Sequence, residues 1–313
     1  YVFRAPELDT DKPVVTPDGT ASADVDRTDT DEPDAPGRTR REYCYNILVS
    51  GLDDDNGGSD TNILVRFDVP NKRIDLVSLP RDTLLHNEYR NNKLNFAYAK
   101  GGTELLMEQI ENLLGIPVDF YVTVNLKGFI ALVDQIDGVD FDIPINMDYD
   151  DPYQDLHIHF TKGPRHLNGQ EAMEVVRFRH NNDGTGYGTE DIGRIGTQQA
   201  FLKAVAKQLL QIGNVKNIPA LVDIFYTYVK TDLTTGNLVW LGNEALNIGT
   251  ENIRFATLPG DGSGYYNKQS VYVLDAQATC DLVNEALNPY NEALTLEDMD
   301  IYTMLSRRVM KED

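Results

Sequence analysis

Short apolar runs closed by Gly, Pro or Asn alternate along the chain with segments of helical period. The apolar runs predict buried strands, because each is only a few residues long and is bounded by turn-forming residues. The clearest are YNILVSGL (45–52), SDTNILVRFDV (59–69), KRIDLVSLP (72–80), DFYVTVNL (119–126), VDFDIP (139–144) and IRFATLPG (253–260). These runs predict the strands of one sheet-containing core.

Between the strands, apolar residues recur every three or four positions, which is typical of amphipathic helices. The predicted helices are GGTELLMEQIENLLG (101–115), LKGFIALVDQIDG (126–138), LNGQEAMEVV (167–176, running into a strand), GRIGTQQAFLKAVAKQLLQIG (193–213) and AQATCDLVNEALNP (276–289). Gly115 is expected to end the first of them. Strands that alternate with helices predict an α/β fold, which we expect to be three-layered, with a mixed central sheet flanked by helices.

The first 42 residues differ from the rest. They are dominated by Asp, Thr, Pro, Ala and Arg and contain hardly any large apolar residue after Phe3. Such a segment buries too little surface to offset its ordering entropy, so residues 1–42 are predicted to be a disordered acidic, proline-rich linker. Since no further change of composition follows, residues 43–313 are predicted to form one domain, including a C-terminal extension.

Composition restricts the class of ligand. The 313 residues are 41% hydrophobic and carry a formal charge of −22, with 50 acidic against 28 basic side chains. Such a surface repels nucleic acid, so any phosphate-binding site must be a local basic pocket. No apolar run approaches the roughly 18 residues of a membrane span. The chain begins with Tyr1 rather than Met, and we expect that a preceding segment has been removed.

Cysteine and histidine give no clear metal or redox signal. Cys44 and Cys280 either pair, as in many secreted proteins, or stay reduced, and both alternatives remain open. No zinc or CxxC spacing occurs. The histidines form no convincing metal pattern, and those at 157 and 159 are expected to lie along a strand; all five are His86, His157, His159, His166 and His180.

Acidic residues flank the first two predicted strands. In GLDDDNGGSDT, Asp53 follows one strand and Asp60 begins the next. Two carboxylates at neighbouring strand ends suit Mg²⁺, which takes one or two carboxylates together with substrate phosphates and water. The alternative is a solvated acidic turn.

Basic residues follow at the next boundaries. Arg81 lies just after the strand that ends LVSLP, and Lys93 precedes a short helical pattern that Asn95 is expected to cap. Ligands usually bind at such strand ends in α/β sheets, which favours both as anion contacts. Taken singly, each is better explained as an ordinary surface residue.

VVRFRHN places two arginines two residues apart. If residues 175–179 form a strand, Arg177 and Arg179 project from one face. Two adjacent guanidiniums repel unless an anion lies between them, and their planar forks suit phosphate oxygens. Salt bridges to nearby carboxylates are the alternative.

TEDIGRIGTQQ supplies the last candidates. Asp191, Arg194 and Gln198 are spaced three and four apart, so a helix aligns them on one face near its N-terminus, where anions bind favourably. An ion pair on a solvated helix is the competing explanation. All the candidates together suit a metal-bound pyrophosphate, while GxxxxGK[ST], GxGxxG, HExxH and a serine nucleophile elbow are missing from the sequence.

Six ordered blocks resemble the LytR–CpsA–Psr family over roughly residues 43–210. They are SDTNILV, VSLPRDT, KLNFAYAKGG, LVDQIDGVDFDIP, LNGQEAMEVVRFR and DIGRIGTQQ. The later LPGDGSGYYNKQSVYVLD resembles the C-terminal region of clostridial-type members.

The resemblance implies a membrane-anchored enzyme with a catalytic domain on the extracellular face of the bacterial membrane. Such enzymes transfer teichoic acid, capsule or another glycopolymer from a polyprenyl-pyrophosphate carrier to peptidoglycan, forming a phosphodiester bond. The single-pass span is expected upstream of this chain, and nucleic acid is not an expected partner.

The resemblance also implies roles for individual residues. Asp53 and Asp60 match magnesium ligands, and Asp191 matches a polar position of the pocket. Asp191 is the candidate base, with an acidic metal ligand as the alternative. The pyrophosphate contacts are matched by Arg81, Lys93, Arg177, Arg179, Arg194 and Gln198, with Arg177 and Arg179 also expected to act in catalysis. Two positions depart from the family pattern: Gly58 and Ser59 stand where an arginine is common, and Thr197 replaces a second helix arginine.

Two rival functions stay open. The same pocket suits a polyprenyl-pyrophosphate pyrophosphatase that uses water as the acceptor. A non-catalytic lipid-binding or transcriptional attenuator protein is the other, although the charge of −22 argues against direct DNA binding.

Overall fold

The computed structural model describes residues 3–8, 38–52, 57–87, 89–153, 155–187, 190–211, 224 and 226–302. Its contacts divide the chain into two compact units. The first combines residues 1–123 with residues 231–313, and the second comprises residues 124–230.

The elements are given in chain order. The strands are β1 Cys44–Leu52, β2 Ser59–Asp68, β3 Arg73–Leu79, β4 Phe120–Asn125, β5 Val139–Ile143, β6 Met147–Asp151, β7 Leu156–Phe160, β8 Gly163–Leu167, β9 Val229–Thr231, β10 Ile253–Thr257, β11 Gly260–Tyr266 and β12 Gln269–Leu274. The helices are α1 Leu94–Leu114, α2 Leu126–Gln135, α3 Gly169–Arg177, α4 Glu190–Gln211, α5 Thr235–Ile248 and α6 Ala276–Ala286. Thr250–Asn252 and Leu296–Asp298 are 3₁₀ turns. Within the described residues, no helix is long and apolar enough to cross a membrane.

The central sheet is mixed and has six strands in the order β10-β3-β2-β1-β4-β9. Strands β1, β2 and β3 are successively antiparallel, whereas β10 runs parallel to β3. In the β2–β3 register, Asn62 faces Leu79 and Asp68 faces Arg73. The start of β2 therefore lies beside the end of β3, and the first polar cluster described below is found there.

Each face of this sheet has its own core, because successive side chains of a strand point to opposite faces. On β2, Leu64 packs with Ile110 of α1 and Val283 of α6 in one cluster. The alternate residue Phe67 packs with Leu241 of α5 in another. Helices thus cover both faces, which confirms the predicted α/β fold with a mixed sheet between helical layers.

Helix α1 joins two predicted helical patterns. Its backbone leaves helical geometry at Gly101 and Gly102, the latter with φ of 69°. It ends as predicted at Gly115, whose φ of 65° lies in the left-handed region that glycine tolerates best. The predicted cap is wrong: Lys93 precedes the helix and makes no capping bond, while Asn95 lies in its first turn.

The second unit contains two hairpin-like sheets and their own core. Strand β5 pairs with β8, and β6 pairs with β7, both antiparallel. Helix α3 begins with a reciprocal capping box in which Asn168 accepts from the Glu171 amide and the Glu171 side chain accepts in return. The side chains of Phe141, Ile158 and Phe201 pack together in this core.

Some residues of the predicted linker belong to the first unit. Leu8 packs against the α5-facing core, and Arg40 forms a β-bridge with Tyr290. Residues 9–37 lie outside the described residues, and the linker over them stays a prediction. Cys44 and Cys280 are both buried and both free, so the unpaired alternative is the one observed.

Candidate active site

Asp60 and Arg81 meet where β2 begins and β3 has just ended. Arg81 donates from Nη1 to Asp60 Oδ1 over 2.6 Å. Their side chains keep 31% and 34% of their surface exposed, respectively. The sequence placed both at strand ends, and the antiparallel register brings those ends together.

A second ion pair extends this cluster. Lys93 Nζ lies 3.3 Å from Asp82 Oδ2, and Arg81 Nε lies 3.5 Å from Asp82 Oδ1. The backbone fixes this arrangement, because the Asn95 amide donates to the Arg81 carbonyl over 2.9 Å. We call Asp60, Arg81, Asp82 and Lys93 the strand-end cluster. Sequence reasoning missed Asp82, for which the position next to Arg81 was the available signal.

Several buried polar atoms of this cluster and its neighbours have no hydrogen-bond partner within the described part of the chain. They are Ser59 Oγ, Arg81 Nε, Asp82 Oδ1 and Asn95 Oδ1. Buried polar atoms in folded proteins nearly always have partners, and exceptions mark strain, a bound water or ion, or a catalytic role. Arg81 Nε and Asp82 Oδ1 face each other at 3.5 Å as an ion pair, whereas Ser59 Oγ and Asn95 Oδ1 have no partner among the described residues. These two oxygens, on segments next to the cluster, therefore point to a polar ligand at this end of the sheet.

The donor set fits a hard cation. Carboxylates, an amide oxygen and a hydroxyl are the oxygen ligands that Mg²⁺ prefers, and here they come from Asp60, Asp82, Asn95 and Ser59. One oxygen of Asp60 accepts from Arg81. Asp53, the other predicted magnesium ligand, lies outside the described residues.

Arg177 and Arg179 are not on a strand, so the structural premise of their pairing was wrong. Arg177 is the last residue of α3, and Phe178 is extended with ψ of 132°. The helix prevails because the Asn168 capping box starts it and Ala172, Met173 and Val175 are buried along it. Arg177 is half-buried, whereas Arg179 is exposed.

Helix α4 carries the remaining candidates. Asp191 and Arg194 lie within it as predicted, but their side chains are outside the described part of the structure. Gln198 donates from Nε2 to the Val176 carbonyl over 3.3 Å. Thr197 is buried, and its hydroxyl donates to the Gly193 carbonyl one turn earlier. Position 197 therefore faces the interior of the second unit.

The structure brings together three predicted residues, Asp60, Arg81 and Lys93, in the first unit. The other described candidates belong to the second unit, where Arg177 ends α3 and Gln198 contacts the last turn of that helix. The charge of the strand-end cluster is balanced, with two cations and two carboxylates. A pyrophosphate bound there would need a further cation, which is the role the oxygen donors offer.

Comparison with known proteins gives a consistent result. The model of the LytR_cpsA_psr family matches residues 15–288. The polyisoprenyl-teichoic acid–peptidoglycan teichoic acid transferase TagV of Bacillus subtilis (strain 168) is 32% identical over 248 residues, which cover 75% of this chain. This chain spans 61% of the length of that relative. The regulatory protein MsrR of Staphylococcus aureus (strain COL) is 30% identical over 229 residues, covering 71% of this chain and 67% of MsrR.

Solved structures agree on the fold. The crystal structure of B. subtilis TagV has a TM-score of 0.66 and 26% identity, covering 84% of this chain and all of that chain. A structure of TagT bound to LI-WTA has a TM-score of 0.63 at 22% identity, covering 80% of this chain and 92% of that one. At this level of identity the second likeness concerns the fold alone.

Proposed function

Because this chain belongs to the LytR–CpsA–Psr family, we propose that it is a phosphotransferase acting in cell-wall assembly. It moves a glycopolymer from a polyprenyl-pyrophosphate carrier to peptidoglycan and leaves a phosphodiester bond. TagV is named for the transfer of teichoic acid, so teichoic acid is the first donor class to test, with capsule polymer second.

The observation that carries the proposal is the strand-end cluster beside the two unpartnered oxygens of Ser59 and Asn95. The cations Arg81 and Lys93 suit phosphate oxygens. The oxygens of the cluster and its neighbours suit Mg²⁺; they belong to Asp60, Asp82, Asn95 and Ser59. Bound there with Asp60 as a ligand, the ion would neutralise charge on the pyrophosphate. Asp53 is the second proposed ligand, on its place directly after β1 in the sequence and on the resemblance.

The reaction balances as an exchange at phosphorus. A hydroxyl oxygen of peptidoglycan forms a bond to the glycan-bearing phosphorus, and the bond from that phosphorus to the bridging oxygen breaks. Polyprenyl phosphate leaves with the electron pair, and the hydroxyl proton passes to a base. Phosphoryl transfer of this kind depends mainly on positioning and on fixed positive charge around the phosphate oxygens.

Arg81 and Lys93 supply that charge in the first unit. Their carboxylate partners hold the two cations in place before substrate arrives, which reduces the reorganisation needed during reaction. Asp191 is the proposed base. Arg177, Arg179, Arg194 and Gln198 are proposed pyrophosphate contacts on the family resemblance, with Arg177 and Arg179 also acting in catalysis.

The proposed place of action is the extracellular face of the bacterial membrane, where the lipid carrier and peptidoglycan meet. A single-pass membrane anchor would hold the domain there. Both statements rest on the family.

The test is a transfer assay with a polyprenyl-pyrophosphate-linked glycopolymer and peptidoglycan, with and without Mg²⁺. We expect Arg81→Ala and Arg177→Ala to lose at least about a hundredfold in rate, the scale on which single charge-stabilising donors act. Arg254→Ala is the matched control, because Arg254 is an exposed arginine of the first unit paired only loosely, at 3.5 Å, with Glu285. Wild-type rates in Arg81→Ala would refute the assignment of the cluster.

The same assay separates the rival functions. A pyrophosphatase releases the glycopolymer phosphate at the same rate without peptidoglycan. A binding-only protein retains the lipid and turns nothing over. This alternative is tested because the relative MsrR is named a regulatory protein. Mass spectrometry of lipid that co-purifies with the chain would identify the donor head group.

A further inference from the structure

The hairpin of β6 and β7 in the second unit carries an ordered array of aspartate and histidine. In its antiparallel register Asp148 faces His159 and Asp150 faces His157. On β7 the intervening residues Leu156, Ile158 and Phe160 are buried. Strand alternation therefore places both imidazoles on the outer face, opposite two carboxylates.

Asp150 lies at the centre of this array. Its Oδ1 is in hydrogen-bond contact with His157 Nδ1 and lies 3.3 Å from His159 Nε2. One ligand atom each of Asp150, His157 and His159 lies within 4.8 Å of the others. Two ligands of a tetrahedral zinc ion, each about 2.1 Å from the metal, are about 3.4 Å apart. Small side-chain rotations would let all three atoms share one ion.

The outer nitrogens of both rings also face carboxylates. His159 Nδ1 lies 2.8 Å from Asp148 Oδ1, and His157 Nε2 lies 3.6 Å from Asp155 Oδ1. Histidines that bind metals usually have such a carboxylate on the second nitrogen, which fixes the ring orientation and its tautomer. This second set of partners distinguishes the array from a chance cluster of surface charges.

The strand that carries the aspartates is held along its other edge. The amides of Asp148 and Asp150 donate to the side-chain oxygens of Asn181 and Asn182 over 2.7 Å and 2.6 Å, respectively. The Asn182 side chain donates back to the Asp150 carbonyl over 3.1 Å. The backbone positions of both carboxylates are thus fixed from two sides before any ion arrives.

We propose that Asp150, His157 and His159 form a binding site for a divalent transition-metal ion of the zinc class. Two imidazoles and one carboxylate suit Zn²⁺, Co²⁺ or Ni²⁺, whereas Mg²⁺ and Ca²⁺ prefer all-oxygen sites. The site is separate in chemistry from the strand-end cluster. Because all three side chains are exposed, the ion keeps a coordination position open to water or to an external ligand.

A matched control exists on the neighbouring hairpin. Asp140 faces His166 across β5 and β8, and His166 Nδ1 lies 2.7 Å from Asp140 Oδ1. This pair has the same cross-strand geometry and similar exposure of the imidazole but supplies a single histidine. His166→Ala therefore removes a surface histidine without touching the proposed site.

The experiment is calorimetric titration of Zn²⁺ into the full chain without an affinity tag, together with Co²⁺ absorption spectra. We expect one-to-one binding that weakens at least about tenfold in His157→Ala, His159→Ala and Asp150→Asn, with loss of the Co²⁺ visible band. Asp148→Ala, which removes an orienting carboxylate, should weaken binding by about 10–100-fold. His166→Ala should bind like the wild type.

Thermal melting without metal checks that each variant folds as the wild type does, which is expected because the altered side chains are exposed. Absence of saturable binding to the wild type overturns the proposal. So does an equal loss of affinity in His166→Ala, since binding would then be a general property of surface histidines.

Discussion

The two ends of the β2–β3 pair use the same residue types in opposite ways. At one end Asp75 accepts from Arg66 over 2.7 Å, with 5% and 2% of the Arg66 and Asp75 side chains exposed. At the other end Arg81 donates to Asp60 over 2.6 Å, and about a third of each side chain is exposed. Burial, rather than residue type, separates a structural ion pair from one that a ligand can reach.

At the Arg66–Asp75 end, the ion pairs are also linked to one another through shared residues. Asp75 contacts Arg73 as well as Arg66, and Asp68 pairs with Arg41 over 2.6 Å. These arginines line a cavity of about 400 Å³. Glu285 lies 3.5 Å from Arg73 and is the third carboxylate at this end. Asp68, Asp75 and Glu285 together balance the three arginines, so these pairs leave no unbalanced positive charge for an anion.

Breaking the buried pair should produce the largest effect on stability. Asp75→Ala leaves two guanidiniums without their shared partner, and removing one member of a buried pair typically costs about 3–5 kcal/mol. Urea denaturation measures the change. Asp60→Ala serves as the comparison and should cost about 0–1 kcal/mol, as partly exposed pairs do. Equal losses in the two variants would contradict the distinction between the ends.

Arg81→Ala should change intrinsic stability little but remove most of the stabilisation that a ligand provides. The variant should lose no more than about 1 kcal/mol of intrinsic stability, because its ion pairs are partly solvated. A short isoprenyl pyrophosphate with Mg²⁺ at a hundred times its Kd should stabilise the wild type by about 2.7 kcal/mol. We expect most of that stabilisation to vanish in Arg81→Ala and to persist in Arg254→Ala. Thermal melting with and without ligand measures both quantities.

The reactivity of Cys44 reports whether the buried end is closed. Burial raises the pKa of its thiol to about 11, despite the nearby arginines that lower it. At pH 8 this shift of about two units makes the thiolate about a hundredfold scarcer than at the usual pKa. After the protein has been reduced and the reductant removed, Cys44 should resist alkylation in the wild type. In Asp75→Ala it should react faster. Rapid labelling of the wild type would mean that this end is open.

The fold was largely predictable because apolar runs and helical periods are local signals. The error at residues 175–179 came from Val175 and Val176, whose β-branched side chains favour a strand. The Asn168 capping box and the burial of one helical face outweighed that preference.

The site was predictable only where chain order determines proximity. Asp60 and Arg81 follow from strand ends, whereas the unpartnered oxygens of Ser59 and Asn95 depend on tertiary packing. The Asp150 and His157 pairing was missed for a similar reason. Alternation placed the histidines along a strand, but the register that brings the aspartates opposite is not readable from spacing alone.

The smallest effect is expected at the Asp140–His166 pair, which is more exposed than the ion pairs at either end of β2 and β3. Hydrogen bonding to Asp140 is the main cause that raises the pKa of His166 above its usual value of 6.5. The folded protein therefore favours the protonated imidazole. Its stabilising contribution is complete below pH 6.5 and is lost as the pH rises through the folded-state pKa.

Asp140→Asn should accordingly bring the pKa of His166 back towards 6.5 and destabilise the protein slightly at pH 5.5 but not at pH 8.5. NMR titration of the imidazole proton, assigned by its absence in His166→Ala, measures the shift. An unchanged pKa in Asp140→Asn would assign the shift to the lesser contribution of Asp137, whose backbone and charge also raise it. The Asp140–His166 pair would then differ from the strand-end cluster in its electrostatics as well as in its exposure, because Asp140 would not be what stabilises the protonated imidazole.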